Sequence, residues 1–286
     1  MPQTFDIRPL SPALGAEIVG LDVTRPIDEA TIAALKQAWV DHLLLLFRKP
    51  DMTQEEQLRF ASCFGRVGER PRPKEFRPED FSKLDAAFML ISNIRENGKP
   101  IGSLPDGEML FHHDTIYKPR PHIGTLLYAI EVPSVGGNTK FSNLYKAYDA
   151  LPARIRERVA GRKAEHVYDY VVIDRRTGKG AQADLLDAYS HPVCITHPRS
   201  GRKALYVDRL MTMRIDGLPE DESEAVLAEM FDVAERPELV YEHVWTPGDL
   251  LLWDNLCSAH ARTDFPAGER RLLRRCQIEA DDVPRA

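Results

Sequence analysis

The sequence contains no apolar stretch that could cross a membrane. Its uninterrupted apolar runs, such as residues 43–47, are far shorter than the roughly 20 residues that a bilayer-spanning helix needs. The N-terminal segment MPQTFDIRPL also lacks the apolar core of a signal peptide. We therefore expect a cytoplasmic protein that has no membrane partner.

The sequence has few cysteines and fewer basic than acidic residues. The four cysteines, Cys63, Cys194, Cys257 and Cys276, are widely separated and form no C-x-x-C pair, so reduced thiols are expected rather than disulfides or a sulfur-ligated metal. The 38 lysines and arginines are outnumbered by 44 aspartates and glutamates, which gives a net charge of −6. This balance argues against a nucleic-acid partner, so any specificity for an anion must come from local arginines.

The apolar residues are arranged mostly in short runs separated by turn signals, a pattern typical of strands. The runs that predict strands are residues 43–47, 88–91, 125–130, 193–196, 204–207, 240–244, 250–253 and 272–278. Uneven spacing of such runs favours a mainly β protein with helical insertions, built on a double-sheet barrel or a jelly roll (double-stranded β-helix). No repeat, low-complexity tract or linker divides the chain, so we expect a single domain over residues 1–286.

Helical signals interrupt these runs. Helical spacing of apolar residues predicts helices over residues 26–42, 143–159, 181–188 and 219–234. Another helix is expected to begin at Thr53, because Thr53 and Glu56 form a capping box, and to end near Gly65. Residues 68–83 are rich in proline and charge and show no apolar period, which indicates a surface loop and a candidate cover for a pocket.

The stretch FHHDTIY, residues 111–117, places two imidazoles beside a carboxylate in a chain with nine histidines. In an extended strand, residues two apart share a face, so His112 and Asp114 can converge on one metal ion while His113 points away. One histidine and one carboxylate are only suggestive of a metal site. We interpret His113 as a packing residue or a neighbour of the ligands, with a substrate contact as the alternative.

A third ligand is needed, and His260 is the strongest candidate. It follows the predicted strand 250–253 and precedes the run RRLLRRCQIE, so a strand pair could hold it opposite His112 and Asp114. Two histidines and one carboxylate make up the facial triad of non-haem Fe(II) oxygenases. Zinc accepts the same ligand types, with a water in the fourth position.

The run RRLLRRCQIE adds two arginines that fall on one face if this run is a strand. Arg271 and Arg275 are four residues apart, which corresponds to about 13 Å at ~3.3 Å per residue. Two inward arginines would be costly unless each met an anion. The alternative is an edge strand whose arginines are all solvated.

Several segments together resemble the Fe(II)- and 2-oxoglutarate-dependent dioxygenases of the taurine dioxygenase and 2,4-dichlorophenoxyacetate dioxygenase (TauD/TfdA) family. They are LGAEIVGLDV, LLLLFRKPDMTQEEQLRFASCFG, FHHDTIY, EVPSVGGNTKFSNLYKAYDALP, THPRSGRKALYV and WTPGDLLLWDNLCSAHARTDFPAGERRLLRR. Their order and spacing resemble those of the family over most of the chain. The resemblance implies a jelly-roll fold, Fe(II) as the metal, and 2-oxoglutarate and O2 as cosubstrates.

The resemblance also implies a reaction and roles for individual residues. The reaction decarboxylates 2-oxoglutarate to succinate and CO2 while it hydroxylates a C–H bond of the substrate. The implied iron ligands are His112, Asp114 and His260, the C5 carboxylate of 2-oxoglutarate is held by Thr139 and Arg271, and an anionic group of the substrate is held by Arg275.

The sequence departs from the family pattern around the first ligand. Phe111 stands where the family usually has tryptophan, and His113 stands where a small polar residue is usual. The asparagine that contacts taurine in family members aligns with Glu108, and the segment GERPRPKEF offers neither the histidine nor the tyrosine of those members. We therefore expect a small organic anion other than taurine, such as an aryloxyalkanoate, another carboxylate or a sulfonate. Glu108 is a candidate contact for an amine or hydroxyl on that substrate.

Two other functions are compatible with the same ligand residues. A zinc-dependent hydrolase would use the triad but would have no use for a second anion site at Thr139 and Arg271. A small-molecule sensor on the same barrel could retain the metal without turnover, although an intact triad together with both arginines argues against it. Formation of succinate would distinguish the dioxygenase from the other two functions.

We expect the protein to assemble as a homo-oligomer.

Overall fold

The computed structural model describes residues 4–69, 84–104, 107–168, 187–281 and 283–286. The helices in these ranges are α1 Glu29–His42, α2 Gln54–Ser62, α3 Leu144–Ala150, α4 Ala153–Val159 and α5 Glu220–Ala234, with a short 3-10 turn at Pro237–Leu239. The strands are β1 Asp6–Pro9, β2 Ala16–Val19, β3 Leu44–Phe47, β4 Met89–Ser92, β5 Arg95–Glu96, β6 Lys99–Pro100, β7 Met109–His112, β8 Gly124–Glu131, β9 Thr139–Asn143, β10 Lys163–Val167, β11 Ala188–Pro192, β12 Cys194–Thr196, β13 Lys203–Leu205, β14 Thr212–Ile215, β15 Val240–His243, β16 Leu250–Asp254, β17 Ser258–Arg262 and β18 Leu272–Ile278.

Two sheets form the centre of the fold. The larger has seven strands in the order β1-β2-β3-β16-β8-β18-β4, and the smaller has four in the order β15-β9-β17-β7. Side chains from both sheets meet in one hydrophobic cluster, in which the rings of Phe141 on β9 and Trp253 on β16 lie 5.3 Å apart between centroids. The remaining strands form the small sheets β11-β10-β14, β12-β13 and β5-β6. Two packed sheets with helical insertions confirm the predicted mainly β, jelly-roll fold.

The central strands of the large sheet are buried on both faces, which explains why their sequences are continuously apolar. In β16, Leu251 and Trp253 belong to the cluster between the two sheets. Leu250 and Leu252 alternate with them and belong to a second cluster, formed against residues of α1 and α2. Each of the eight predicted strands is present, with its ends within two residues of the prediction.

The helices begin where the sequence indicates. Helix α2 begins after the predicted capping box, in which the Thr53 hydroxyl accepts the backbone N–H of Glu56 and the Glu56 carboxylate accepts the backbone N–H of Thr53. Helix α1 begins after Asp28, whose side chain accepts the backbone N–H of Thr31. Helix α5 confirms the helix predicted over residues 219–234.

Other elements differ from the sequence prediction. Residues 143–159, predicted as one helix, form α3 and α4, because Leu151 is extended (ψ 136°) before Pro152, as the residue before a proline usually is. The sequence predicts no strand at β9 or β17, since neither TKFSN nor SAHAR contains an apolar run. Most of the predicted helix 181–188 and of the predicted surface loop 68–83 lies outside the described residues, and Ala188 begins β11.

In the part of the chain that the structure describes, no helix combines the length and the apolar character that crossing a membrane requires. All four cysteines lie in this part and are free thiols, as the sequence predicts. Cys257 and Cys276 are buried, and Cys63 and Cys194 are half-buried.

A buried polar contact joins helix α2 to strand β18. Gln57 Oε1 accepts a hydrogen bond from Arg274 Nε at 2.7 Å, and Gln57 Nε2 donates to the Arg274 carbonyl at 3.2 Å. Gln57 is fully buried and Arg274 is 8% exposed. The contact therefore anchors the strand that carries Arg275 and that begins directly after Arg271.

Replacing Gln57 with methionine is expected to lower the free energy of unfolding by about 2 kcal/mol or more, because the buried Arg274 loses two partners while the side-chain volume is kept. Urea denaturation followed by circular dichroism measures this change. Gln37→Met is the control, since Gln37 contacts Asp41 on the exposed face of α1, and its effect should stay within about 0.5 kcal/mol. Equal stability of the two variants would contradict the anchoring role of Gln57.

Candidate metal centre and anion pocket

Strand pairing brings His112 and His260 together. Strands β7 and β17 are antiparallel, and His260 lies directly opposite His112. Opposite residues of an antiparallel pair project from the same face about 4.5–5.5 Å apart. The two imidazole rings are accordingly 4.1 Å apart between centroids. The register thus places these two predicted ligands side by side.

Asp114 joins the two histidines from a turn rather than from the strand. Strand β7 ends at His112, and Thr115 has a positive φ of 58°. Asp114 Oδ1 lies 4.0 Å from His260 Nε2, and metal-binding atoms of all three residues lie within 4.8 Å of one another. All three side chains are buried. The predicted triad therefore comes together, although the strand that was expected to carry Asp114 stops two residues earlier.

Hydrogen bonds orient the ligand atoms. His112 Nδ1 lies 2.9 Å from the carbonyl oxygen of Leu110, which favours a proton on Nδ1 and makes Nε2 the metal-binding nitrogen. Asp114 Oδ2 accepts from the Thr125 hydroxyl at 2.6 Å, and Oδ1 accepts from Arg275 Nη1 at 3.0 Å. His260 Nδ1 is buried without a hydrogen-bond partner. Two imidazoles and a carboxylate in these orientations fit a divalent metal ion.

The electrostatics of the group also suit a metal. Burial lowers the pKa of His112 and lowers that of His260 further, which keeps both rings in the neutral form that binds metal. Burial alone would raise the pKa of Asp114, but the charge of Arg275, together with the hydrogen bond from Thr125, outweighs burial and brings this pKa well below its usual range. The triad therefore offers two neutral nitrogens and an ionised oxygen.

A second group of metal-binding residue types consists of His197, Asp254 and Cys257. In this group Asp254 Oδ2 lies 3.0 Å from His197 Nε2, and Oδ1 accepts the backbone N–H of Leu256 at 2.8 Å. Both carboxylate oxygens are thus already engaged by protein groups. We interpret these residues as a hydrogen-bonded part of the core.

His113 does not join the triad. Its side chain is fully buried, and its Nδ1 lies 2.9 Å from Asp208 Oδ2. Its ring packs against Tyr206 at 4.8 Å between centroids. The side chain thus faces away from the other two members of the HHD motif, as strand alternation predicts.

Arg271 is the candidate centre of a buried anion pocket. It is 2% exposed, and its Nε donates to the Gly137 carbonyl at 3.2 Å, while its Nη1 has no hydrogen-bond partner. Burial, together with the nearby charge of Arg262, lowers the pKa of Arg271 to about 9. Gly137 has a φ of +64°, and a Cβ at this position would lie 2.8 Å from Pro133, so glycine allows the close backbone approach.

Thr139 and Arg262 lie next to this pocket on paired strands. Thr139 on β9 is directly opposite Arg262 on β17, and both are buried. The Thr139 hydroxyl oxygen accepts from Trp245 Nε1 at 2.9 Å, so its own proton can be donated elsewhere. No sequence motif singles out Arg262, although its position two residues after His260 places the two on one strand face.

The two predicted substrate residues are in different environments. Arg275 is partly buried, with Nη1 on Asp114 Oδ1 and Nη2 3.1 Å from Met89 Sδ. The anion that it meets in this structure is therefore a member of the triad. Glu108 is exposed and directly precedes β7.

The chain is similar to known proteins over nearly its whole length. Residues 6–277 match the family model described as "Taurine catabolism dioxygenase TauD, TfdA family". The pentalenolactone F synthase of Streptomyces avermitilis is 36% identical over 94% of this chain and 92% of that protein. The (S)-phenoxypropionate/alpha-ketoglutarate-dioxygenase of Sphingobium herbicidovorans is 32% identical over 98% of this chain and 97% of that protein.

Solved structures of dioxygenases also resemble this chain in fold. A taurine dioxygenase from Burkholderia xenovorans superposes with a TM-score of 0.80 at 28% identity, covering 99% of this chain and 93% of that one. AAD-2 in complex with Mn(II) and N-oxalylglycine superposes with a TM-score of 0.81 at 25% identity, covering 98% of both chains. The resemblance seen in the sequence is thus confirmed: the chain belongs to the TauD/TfdA family and is a 2-oxoglutarate-dependent dioxygenase.

Proposed function

We propose that the protein hydroxylates a small organic anion with Fe(II), 2-oxoglutarate and O2. Substrate R–H, 2-oxoglutarate and O2 give R–OH, succinate and CO2. The observation that carries the proposal is a buried His-Asp-His group together with a buried arginine, Arg271, that lies near Arg262 on the strand of His260 and has an unpartnered Nη1. A hydrolase that uses only a metal and water has no use for such an arginine.

His112, Asp114 and His260 would hold the iron. Two imidazole nitrogens and one carboxylate oxygen leave three coordination positions for cosubstrate and oxygen, which suits non-haem Fe(II). Bound there, iron would supply the oxygen activation that amino-acid side chains cannot provide. The chain contributes the neutral imidazoles, the ionised Asp114 and a buried location that excludes water.

Alanine at His112, Asp114 or His260 is expected to abolish stoichiometric Fe(II) binding, measured by anaerobic titration. A variant at His113 should still bind one ion at saturating Fe(II), even where its affinity is lower, because the side chain faces Asp208 and is not a ligand. His197→Ala is the control for the second donor group, and it should also retain the ion. Loss of the ion in His197→Ala with retention in His112→Ala would show that the metal binds to His197, Asp254 and Cys257 instead.

Arg271 and Thr139 would hold the C5 carboxylate of 2-oxoglutarate. Arg271 Nη1 is without a partner, and the Thr139 hydroxyl can donate because Trp245 already occupies its oxygen as a donor. The buried Arg262 adds positive charge at the same place. A charge-assisted hydrogen bond between guanidinium and carboxylate is among the stronger polar interactions.

Arg271→Met is expected to weaken 2-oxoglutarate binding by well over tenfold, since losing one partner of a buried charged pair costs ~2–5 kcal/mol. Isothermal titration of the anaerobic Mn(II)-loaded protein measures the affinity. Arg270→Met is the matched control, because the neighbouring Arg270 is exposed and pairs with Glu131. Affinity that is unchanged in Arg271→Met, or reduced equally in both variants, would argue against this role of Arg271.

Arg275 would bind the anionic group of the substrate beside the metal. Its guanidinium already contacts Asp114, so a carboxylate held by it would lie next to the reacting centre. Relatives are named for (S)-phenoxypropionate and 2,4-dichlorophenoxyacetate, and we infer an aryloxyalkanoate or a similar carboxylate as the substrate class.

Glu108 is the second candidate contact, for an amine or hydroxyl of the substrate. Hydroxylation of a carbon that bears the ether oxygen would release a phenol and a keto acid or aldehyde.

The substrate assignment predicts that aryloxyalkanoates support faster succinate formation than taurine or a neutral aryl ether of the same size. Product analysis by mass spectrometry, with the Fe(II)-loaded protein, 2-oxoglutarate and O2, tests this. Arg275→Ala, assayed at saturating Fe(II) because Arg275 also contacts Asp114, should lose coupled product while it keeps 2-oxoglutarate affinity and slow uncoupled succinate release. Turnover of the neutral ether at the rate of the best anion would refute the role of Arg275.

A further inference from the structure

His113 lies between two of the proposed ligands in the sequence but is tied to a distant segment of the chain. Its Nδ1 lies 2.9 Å from Oδ2 of Asp208, and its backbone N–H donates to the same oxygen at 3.1 Å. Asp208 thus engages both the side chain and the peptide group of the residue that joins His112 to Asp114. Both His113 and Asp208 are buried.

The segment that carries Asp208 is held in place by its own hydrogen bonds. Asp208 Oδ1 accepts the backbone N–H of Met211 at 2.7 Å, and its backbone N–H donates to the Thr212 hydroxyl at 2.8 Å. The backbone N–H of Leu210 donates to the Phe111 carbonyl at 3.1 Å. Residues 208–212 therefore bond to the chain immediately before and immediately after His112.

Asp114 needs such a constraint more than the histidines do. His112 and His260 are fixed opposite each other by the pairing of β7 with β17. That pairing ends before Asp114, which lies in a turn. Rotation about the His113 backbone would therefore move the Asp114 carboxylate relative to both imidazoles. The peptide N–H and Nδ1 of His113, which both bond to Asp208 Oδ2, together oppose this rotation.

The buried carboxylate of Asp208 is kept ionised by the groups around it. Burial by itself would raise its pKa, but the hydrogen bond to His113, with smaller contributions from neighbouring groups such as the Met211 backbone N–H, outweighs burial and leaves the pKa below its usual range. Buried polar pairs add little net stability compared with apolar residues of the same size, and their best-supported benefit is the selection of one conformation. The conformation selected here is that of the HHD motif.

We propose that Asp208 and His113 form a positioning pair that holds Asp114 beside His112 and His260 before the metal binds. The inference rests on the proposed metal site at these three residues. Neither member of the pair is a ligand, and His113 acts through its peptide group and its Nδ1 hydrogen bond. Residues that orient metal ligands from outside typically change metal affinity by about 10–100-fold.

Two substitutions separate the hydrogen bond of His113 from its packing. His113→Phe keeps a ring against Tyr206 but removes the Nδ1 donor. His113→Asn removes most of the ring but keeps a side-chain N–H close to the position of Nδ1. Mn(II) affinity, measured by electron paramagnetic resonance without cosubstrate, is expected to fall at least about tenfold in His113→Phe and to stay near the wild-type value in His113→Asn. The melting temperature should follow packing instead, with His113→Asn the less stable of the two.

His197→Phe is the matched control, because it removes an imidazole from another buried carboxylate, Asp254. Neither His197 nor Asp254 makes a described hydrogen bond to residues 111–114, so this variant should lose stability but keep its Mn(II) affinity. Wild-type affinity in His113→Phe, or an equal loss of affinity in His197→Phe, would reduce the pair to an ordinary core contact and overturn the inference. Failure of the wild-type protein to bind Mn(II), or unchanged binding in His112→Ala, would instead overturn the proposed metal site together with this inference.

Discussion

The antiparallel register between β7 and β17 is the constraint on which the site depends. It sets His260 opposite His112. Because side chains alternate along a strand, a shift by one residue would replace His260 with Ala259 or Ala261 on that face. Strand β9 pairs with the other edge of β17 and sets Thr139 opposite Arg262. One strand of five residues therefore aligns parts of the metal centre and of the anion pocket at the same time.

The proposed metal centre is assembled from both sheets. The two histidines belong to the small sheet, whereas the groups that bond to Asp114 come from the large one: Thr125 from β8 and Arg275 from β18. Thr125 in turn accepts a hydrogen bond from Asn255, directly after β16. These two bonds to the carboxylate form only when the two sheets pack against each other, which couples the geometry of the site to the hydrophobic cluster between them.

The buried charges divide the site into two regions of different chemistry. The negative charge of Asp114 is balanced within the protein by Arg275. Arg271, in contrast, has no carboxylate partner among the described residues and lies near a second arginine, Arg262. A buried guanidinium without a counter-ion favours binding of an anion from outside. In a protein with a net charge of −6, this local excess of positive charge is what would select a dicarboxylate such as 2-oxoglutarate.

The sequence by itself determined the features that depend on local pattern. Apolar runs such as residues 250–253 predicted the strands that are buried on both faces, and alternation predicted that His113 would face away from His112. Motif spacing singled out His260 and Arg271 and indicated the family. Tertiary structure alone decided the short strands β9 and β17, which have no apolar run of their own. It also decided two partnerships that no local pattern contains: Arg275 with Asp114, 161 residues apart, and His113 with Asp208, 95 residues apart. Such contacts form because packing of the sheets brings distant residues together, and the free energy of that packing belongs to the whole core rather than to either segment.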